Sequence, residues 1–175
     1  MSDVPACYGW VLFLDVFNNP CHGFFFILGL EGSPQMDAIV IAFASGKGGT
    51  GKSSMSVRIG GALAAHGKKV VLVELSPGLR WVDVIAGGSS EAVYDLEDVL
   101  SGRAAPARAM LESPLYPGLS VIPAPFVPIS LSTENSKLLC ARLRPHFDFV
   151  LVDCPSGFGK NVGQALDCAH RVVLV

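Results

Sequence analysis

Short continuous apolar runs alternate with longer stretches in which apolar positions recur every three to four residues, from Met36 to the end of the chain. The runs at 38–44, 69–75, 119–122, 148–153 and 171–175 predict strands, and their continuity predicts burial on both faces. Between them, the spacing predicts helices at 51–66, 94–101, 104–112, 132–144 and 160–169, with Gly67 placed as a left-handed cap on the first. Strand and helix in turn predict an α/β fold, a mostly parallel sheet with helices on both faces. Five prolines between Pro114 and Pro128 surround one short strand and predict loops at the sheet edge. The last apolar run, 171–175, is followed by neither loop nor helix, so the domain is expected to be incomplete at its C-terminus.

Residues 1–35 follow a different pattern. They hold half of the ten Phe, and no Lys or Arg precedes Lys47. The basic start of a signal peptide is missing, and Asp15 and the Asn18, Asn19, Pro20 cluster break the apolar run well short of the roughly 20 residues of a spanning helix. Met36 opens a strand that leads directly into a glycine-rich loop. The expected division is an N-terminal extension at 1–35, outside the fold, and one domain at 36–175, with Met36 as the natural start.

Composition narrows the chemistry. A net charge of −2 supplies no general field for nucleic acid or an anionic membrane. The five cysteines, Cys7, Cys21, Cys140, Cys154 and Cys168, form no CxxC pair and read as reduced thiols of a cytosolic protein. His22, His66, His146 and His170 lie too far apart for a metal-ligand spacing.

The chemistry concentrates in GKGGTGKS, residues 46–53. Gly46, Gly48, Gly49 and Gly51 are expected to let the chain curl so that consecutive backbone N–H groups point inward, and a following helix adds the positive end of its dipole. Lys52 is placed to reach phosphate oxygens and Ser53 to hold Mg²⁺, a pattern completed by Thr50 and Ser54. A P-loop NTPase needs a second feature, a carboxylate at the end of another buried strand, and FDFVLVD supplies Asp153. Gly157, in the turn after it, is a candidate N–H donor to the γ-phosphate. Cys154 reads as a small packing residue, Arg80 beside Trp81 as a solvated loop cation, and Lys160 and Asn161 as surface.

Lys47 makes the motif KGGxGKS, which resembles the deviant P-loop ATPases of the MinD/ParA family. SGKGGTGKSS at 45–54, GLRWVDVIAG at 78–87, VYDLEDVLSG at 93–102, GLSVIPAP at 118–125 and FDFVLVDCPSG at 147–157 favour its division-site branch. The resemblance implies a weak, Mg²⁺-dependent ATPase that forms a homodimer with ATP bound, recruits a division inhibitor and is released by an activating partner. It implies a cytoplasmic protein, peripheral on the inner membrane surface if a C-terminal amphipathic helix exists, with no specific nucleic acid. It makes Lys47, Lys52 and Asp153 the catalytic set, with Lys47 acting across the dimer. Gly46, Lys47, Gly48, Gly49, Thr50, Gly51, Lys52, Ser53, Ser54 and Gly157 form the nucleotide site, with Ser53 and Asp153 on the metal side. Asp83 is expected on the switch segment or dimer surface. One departure matters: where the family has DxD, this chain has Glu74 and Ser76, so the water-positioning carboxylate is replaced by a hydroxyl. A hydrolysis-deficient scaffold and a partition ATPase are the alternatives.

Overall fold

The computed structural model describes residues 12–13, 38–78, 80–88, 92–157 and 159–175. In chain order the elements are β1 (Leu12–Phe13), β2 (Ile39–Ala44), α1 (Lys52–Ala65), β3 (Val70–Glu74), α2 (Trp81–Ile85), α3 (Leu96–Leu100), α4 (Pro106–Ala109), β4 (Leu111–Glu112), β5 (Leu119–Ile122), α5 (Thr133–Leu143), a 3₁₀ turn (Arg144–His146), β6 (Phe149–Asp153), α6 (Lys160–Leu166) and β7 (Arg171–Leu174). Apart from Leu12–Phe13, which pairs with β7, the expected extension lies outside the described residues.

The sheet runs β1-β7-β2-β6-β3-β5-β4, parallel throughout except for the β4–β5 pair. The apolar strands serve two cores, as continuous hydrophobicity requires. On β2, Val40, Ala42 and Ala44 face one core and Phe43 the other, and β3 and β6 divide in the same way, with Val71, Val73, Val150 and Val152 opposed to Val70, Leu72 and Leu151. Helices α3 to α6 close the first core, and α1 and α2 the second. The predicted helices on both faces are therefore present.

Helix α1 lies close to the sheet because four of its six buried residues are small: Ser56, Gly60, Gly61 and Ala64. A Cβ on Gly60 would stand 3.0 Å from Leu119 and 3.1 Å from Leu151, and one on Gly61 would run into the Tyr116 ring. Gly61→Ala is expected to destabilise the fold by about 1–3 kcal/mol, because overpacking outweighs the gain in helix propensity. Gly163→Ala on α6, where nothing stands within 4 Å, is expected to stabilise it by about 0.5–1 kcal/mol. Urea unfolding of the two variants reads this opposition in sign directly.

The strand positions match expectation to within one residue at each end. The predicted helix at 104–112 is corrected. Pro106 starts only the four-residue α4, Met110 turns extended, and Leu111–Glu112 adds antiparallel to β5. Sheet hydrogen bonds on the open side of β5 outweigh a weak local helical preference. Helix α2, unpredicted, follows directly on Arg80, its N-cap, whose φ of 50 is the one positive value at a non-glycine among the described residues. Gly67 takes the expected left-handed conformation, with φ 75.

Candidate nucleotide-binding site

The phosphate loop leaves β2 at Ser45 and enters α1 at Lys52. Gly46, Lys47, Gly48, Gly49 and Gly51 are exposed, and Gly49 and Gly51 turn through positive φ of 77 and 88 with nothing within 4 Å of where a Cβ would stand. Only glycine adopts that pair of turns without strain, and it leaves the backbone N–H groups uncovered. The expectation that all four glycines supply the curl is corrected at Gly46 and Gly48, neither of which takes a positive φ. A Cβ on Gly48 would meet only Ser156 Oγ, at 3.9 Å, an ordinary contact, so the fold of the loop does not itself demand glycine there. What Gly48 contributes is a bare, exposed backbone over which a phosphate can come close. Thr50 holds a buried hydroxyl without a hydrogen-bond partner, a polar atom poised for an additional oxygen ligand.

At the base of the loop, Lys52 Nζ lies 2.9 Å from Asp153 Oδ1, and Ser53 Oγ donates to Asp153 Oδ2 over 2.7 Å. The three side chains come from adjacent elements because β6 pairs with β2 at the strand end, Phe43 opposite Asp153. Burial pushes the Asp153 carboxyl upward, against the Lys52 charge and the Ser53 and Lys52 hydrogen bonds. An ammonium, a hydroxyl and a buried carboxylate below an open glycine nest suit a phosphate chain with Mg²⁺: Lys52 for the phosphate oxygens, Ser53 and Asp153 for the metal side.

Glu74 stands level with Asp153 on the neighbouring strand. Its Oε1 accepts from the Val82 N–H at 3.3 Å, while Oε2 is buried and unpaired. Burial raises its carboxyl from 4.5 to about 7, with Asp153 adding repulsion. The folded value lies above the unfolded one, so the stability that this carboxyl contributes is fully present below about 4.5 and is lost as pH rises to about 7. Urea unfolding without nucleotide is expected to show Glu74→Gln gaining about 3 kcal/mol over the unsubstituted protein across that window, with no further change above it.

Several further expectations are corrected. Arg80 is not a solvated loop cation: it is 3 % exposed, Nε donates to Ala124 O at 2.9 Å, one terminal nitrogen lies 3.2 Å from Asp95, and the guanidinium stacks 4.1 Å above Phe126. It fixes the start of α2, and through Val82 the orientation of Glu74. Asp83 lies on α2 but is buried, so it is no part of a surface. The Gly157 N–H is committed to Ser45 O at 2.8 Å and is not open to a γ-phosphate in this arrangement. Asn161 is structural: it bonds Ile129 O and the Leu131 N–H, tying the loop before α5 to α6. Cys154 is wholly buried, as a packing residue would be, and burial followed by the Asp153 charge pushes its thiol up to about 12. Ser76 is half-buried, and its hydroxyl donates weakly to Cys154 O at 3.4 Å. Lys47 stays on the surface, while Lys52 and Asp153 are buried together.

The profile of the AAA-domain family matches residues 38–175. The chain belongs to this family, in its MinD/ParA type. Among relatives of this type, the septum site-determining protein MinD of Thermotoga maritima is 33 % identical over 138 residues, covering 78 % of this chain and 51 % of that protein. A MinC:MinD cell division complex from Aquifex aeolicus aligns with a TM-score of 0.70 and 34 % identity, over 78 % of this chain and 55 % of that one. Cobyrinic acid a,c-diamide synthase from Mycobacterium smegmatis, with bound ADP and magnesium, gives a TM-score of 0.67 at 26 % identity, over 78 % of this chain and 59 % of that one. The chain thus spans about half the length of the curated MinD/ParA-type relatives it matches.

Proposed function

We propose that this chain is the nucleotide-binding part of a MinD-type ATPase that takes part in placing the cell-division site. The observation that carries the reading is the Lys52, Ser53, Asp153 cluster beneath an exposed glycine loop that also presents Lys47. In this reading the glycine N–H groups and Lys52 bind the β- and γ-phosphates of ATP, and Ser53 and Asp153 face Mg²⁺. When bound, Mg²⁺ neutralises charge on the phosphates. Lys47, exposed at the head of the loop, reaches the nucleotide of a second copy in an ATP-bound homodimer. Trp81 and Val84, exposed on α2 next to the site, suit the same contact. A division inhibitor, an activating partner and a peripheral position on the inner membrane surface of the cytoplasm complete the proposal; the Aquifex aeolicus complex of MinC with MinD supports the inhibitor by resemblance.

A second reading has an observation of its own. Ser76 stands where a carboxylate is expected to position the attacking water, which favours a nucleotide-gated scaffold that binds ATP and does not turn it over. Mg-ATP binding by calorimetry and phosphate release from the same sample separate the two. The ATPase reading expects binding with slow release. Binding without release, even with lipid vesicles and a stimulating partner, leaves the scaffold, and no binding at all overturns both.

A further inference from the structure

Two of the three described cysteines meet on the helical face remote from the phosphate loop. Cys140 lies on α5, and Cys168 follows the end of α6 by two residues. Both line one cavity of about 20 Å³, whose other lining residues include Val73, Leu131, Val152 and Ser136, the last with a buried hydroxyl that has no hydrogen-bond partner. Each thiol is the largest influence on the other's titration, and neither is in a disulfide; the Cys168 thiol donates to Ala165 O at 3.3 Å.

Their surroundings differ in the way a reacting pair requires. Cys140 is buried, and the Cys168 thiol beside it followed by burial raises its thiol. Cys168 is partly exposed, and the Cys140 thiol lowers its own, against burial and the Asp167 charge, which push it up. A more acidic, accessible thiol is the one an oxidant reaches first, and a second thiol in contact resolves the product. Cys154 has neither property, being wholly buried with its sulfur directed to Val152 O.

We propose that Cys140 and Cys168 form an oxidative modification site, at which a hydroperoxide converts the two thiols into a disulfide joining α5 to the end of α6. The Cys168 thiolate attacks the O–O bond of the hydroperoxide, giving a sulfenic acid and an alkoxide that takes up a proton. The Cys140 sulfur then attacks the Cys168 sulfur. The S–O bond breaks, and the hydroxide leaves as water with the Cys140 proton. Two thiols and one hydroperoxide become a disulfide, an alcohol and water, a two-electron exchange with no other reactant. The cavity has room for one water, and the Ser136 hydroxyl offers a hydrogen bond to the departing oxygen.

The test uses the full chain and hydrogen peroxide, with alkylation to stop the reaction and trypsin without reductant. Cleavage after Lys137, Arg142, Lys160 and Arg171 isolates Cys140 in peptide 138–142 and Cys168 in peptide 161–171. The expected result is these two peptides joined, separated by dithiothreitol, and a fall in free thiols from five to three. In Cys140→Ser the joined species is lost and Cys168 is trapped as a sulfenic acid by dimedone, while Cys168→Ser forms neither. Oxidation of Cys168 to a sulfinic acid without the link, a disulfide between chains, or both cysteines still alkylated overturns the proposal. The unsubstituted protein gives each of these readings by itself if a variant fails to fold, and none depends on nucleotide binding.

Discussion

Replacing Lys52 by alanine is expected to weaken Mg-ATP binding by at least about 100-fold, because two charge-assisted hydrogen bonds to phosphate are worth about 1.5–3 kcal/mol each. The same change strands Asp153, which is wholly buried and paired through Oδ1 with Lys52. Breaking one side of such a pair costs about 3–5 kcal/mol of stability. Lost affinity and lost folding must therefore be told apart. Lys52→Met combined with Asp153→Asn removes both charges. It is expected to recover much of the stability in a urea titration while calorimetry still finds no Mg-ATP binding. Recovery of binding in that double variant would mean that Lys52 serves only to neutralise Asp153.

The second large effect is expected at Ser76. Its hydroxyl is spent on a weak bond to the Cys154 carbonyl, two residues beyond Glu74 at the head of β3. A carboxylate there would be repelled by that carbonyl oxygen and so be free for another partner. Ser76→Asp is therefore expected to raise phosphate release roughly 10- to 100-fold, within the range a positioned base supplies, with Mg-ATP affinity changed by less than about threefold. An unchanged rate would show that another group orients the water. A parallel fall in affinity would show that the new charge repels the phosphates.

What the sequence reveals depends on the range of the forces involved. The strands are legible because continuous apolar runs have few other uses, and the phosphate loop because glycine, lysine and serine at that spacing serve one chemistry. Asp153 follows from the same logic, as a carboxylate ending a buried strand. Spacing alone does not say which glycines bend the loop through positive φ: Gly49 and Gly51 do so, whereas Gly46 and Gly48 do not. The other failures are non-local. Arg80 becomes a buried tie only because Asp95 and Ala124, 15 and 44 residues further along, fold around it. Leu111–Glu112 become a strand only because β5 offers an unpaired side. The Gly157 N–H is taken by a carbonyl 112 positions earlier, at Ser45. Glu74 is legible as the residue at the first position of the DxD pair, yet the burial that raises its pKa depends on α2, which no local pattern announces.

Strand β6 lies between β2 and β3, and Val150 to Asp153 are all buried. Amide protons there are expected to exchange with solvent only when the whole domain opens, whereas those of the exposed loop from Gly46 to Gly49 are expected to exchange freely. The carboxylate proposed to face the metal is thus anchored in the part expected to exchange slowest, and the loop proposed to hold the phosphates in the part expected to exchange fastest. Ligand binding is then registered as protection confined to the loop, against a floor whose exchange already reports the global stability of the fold.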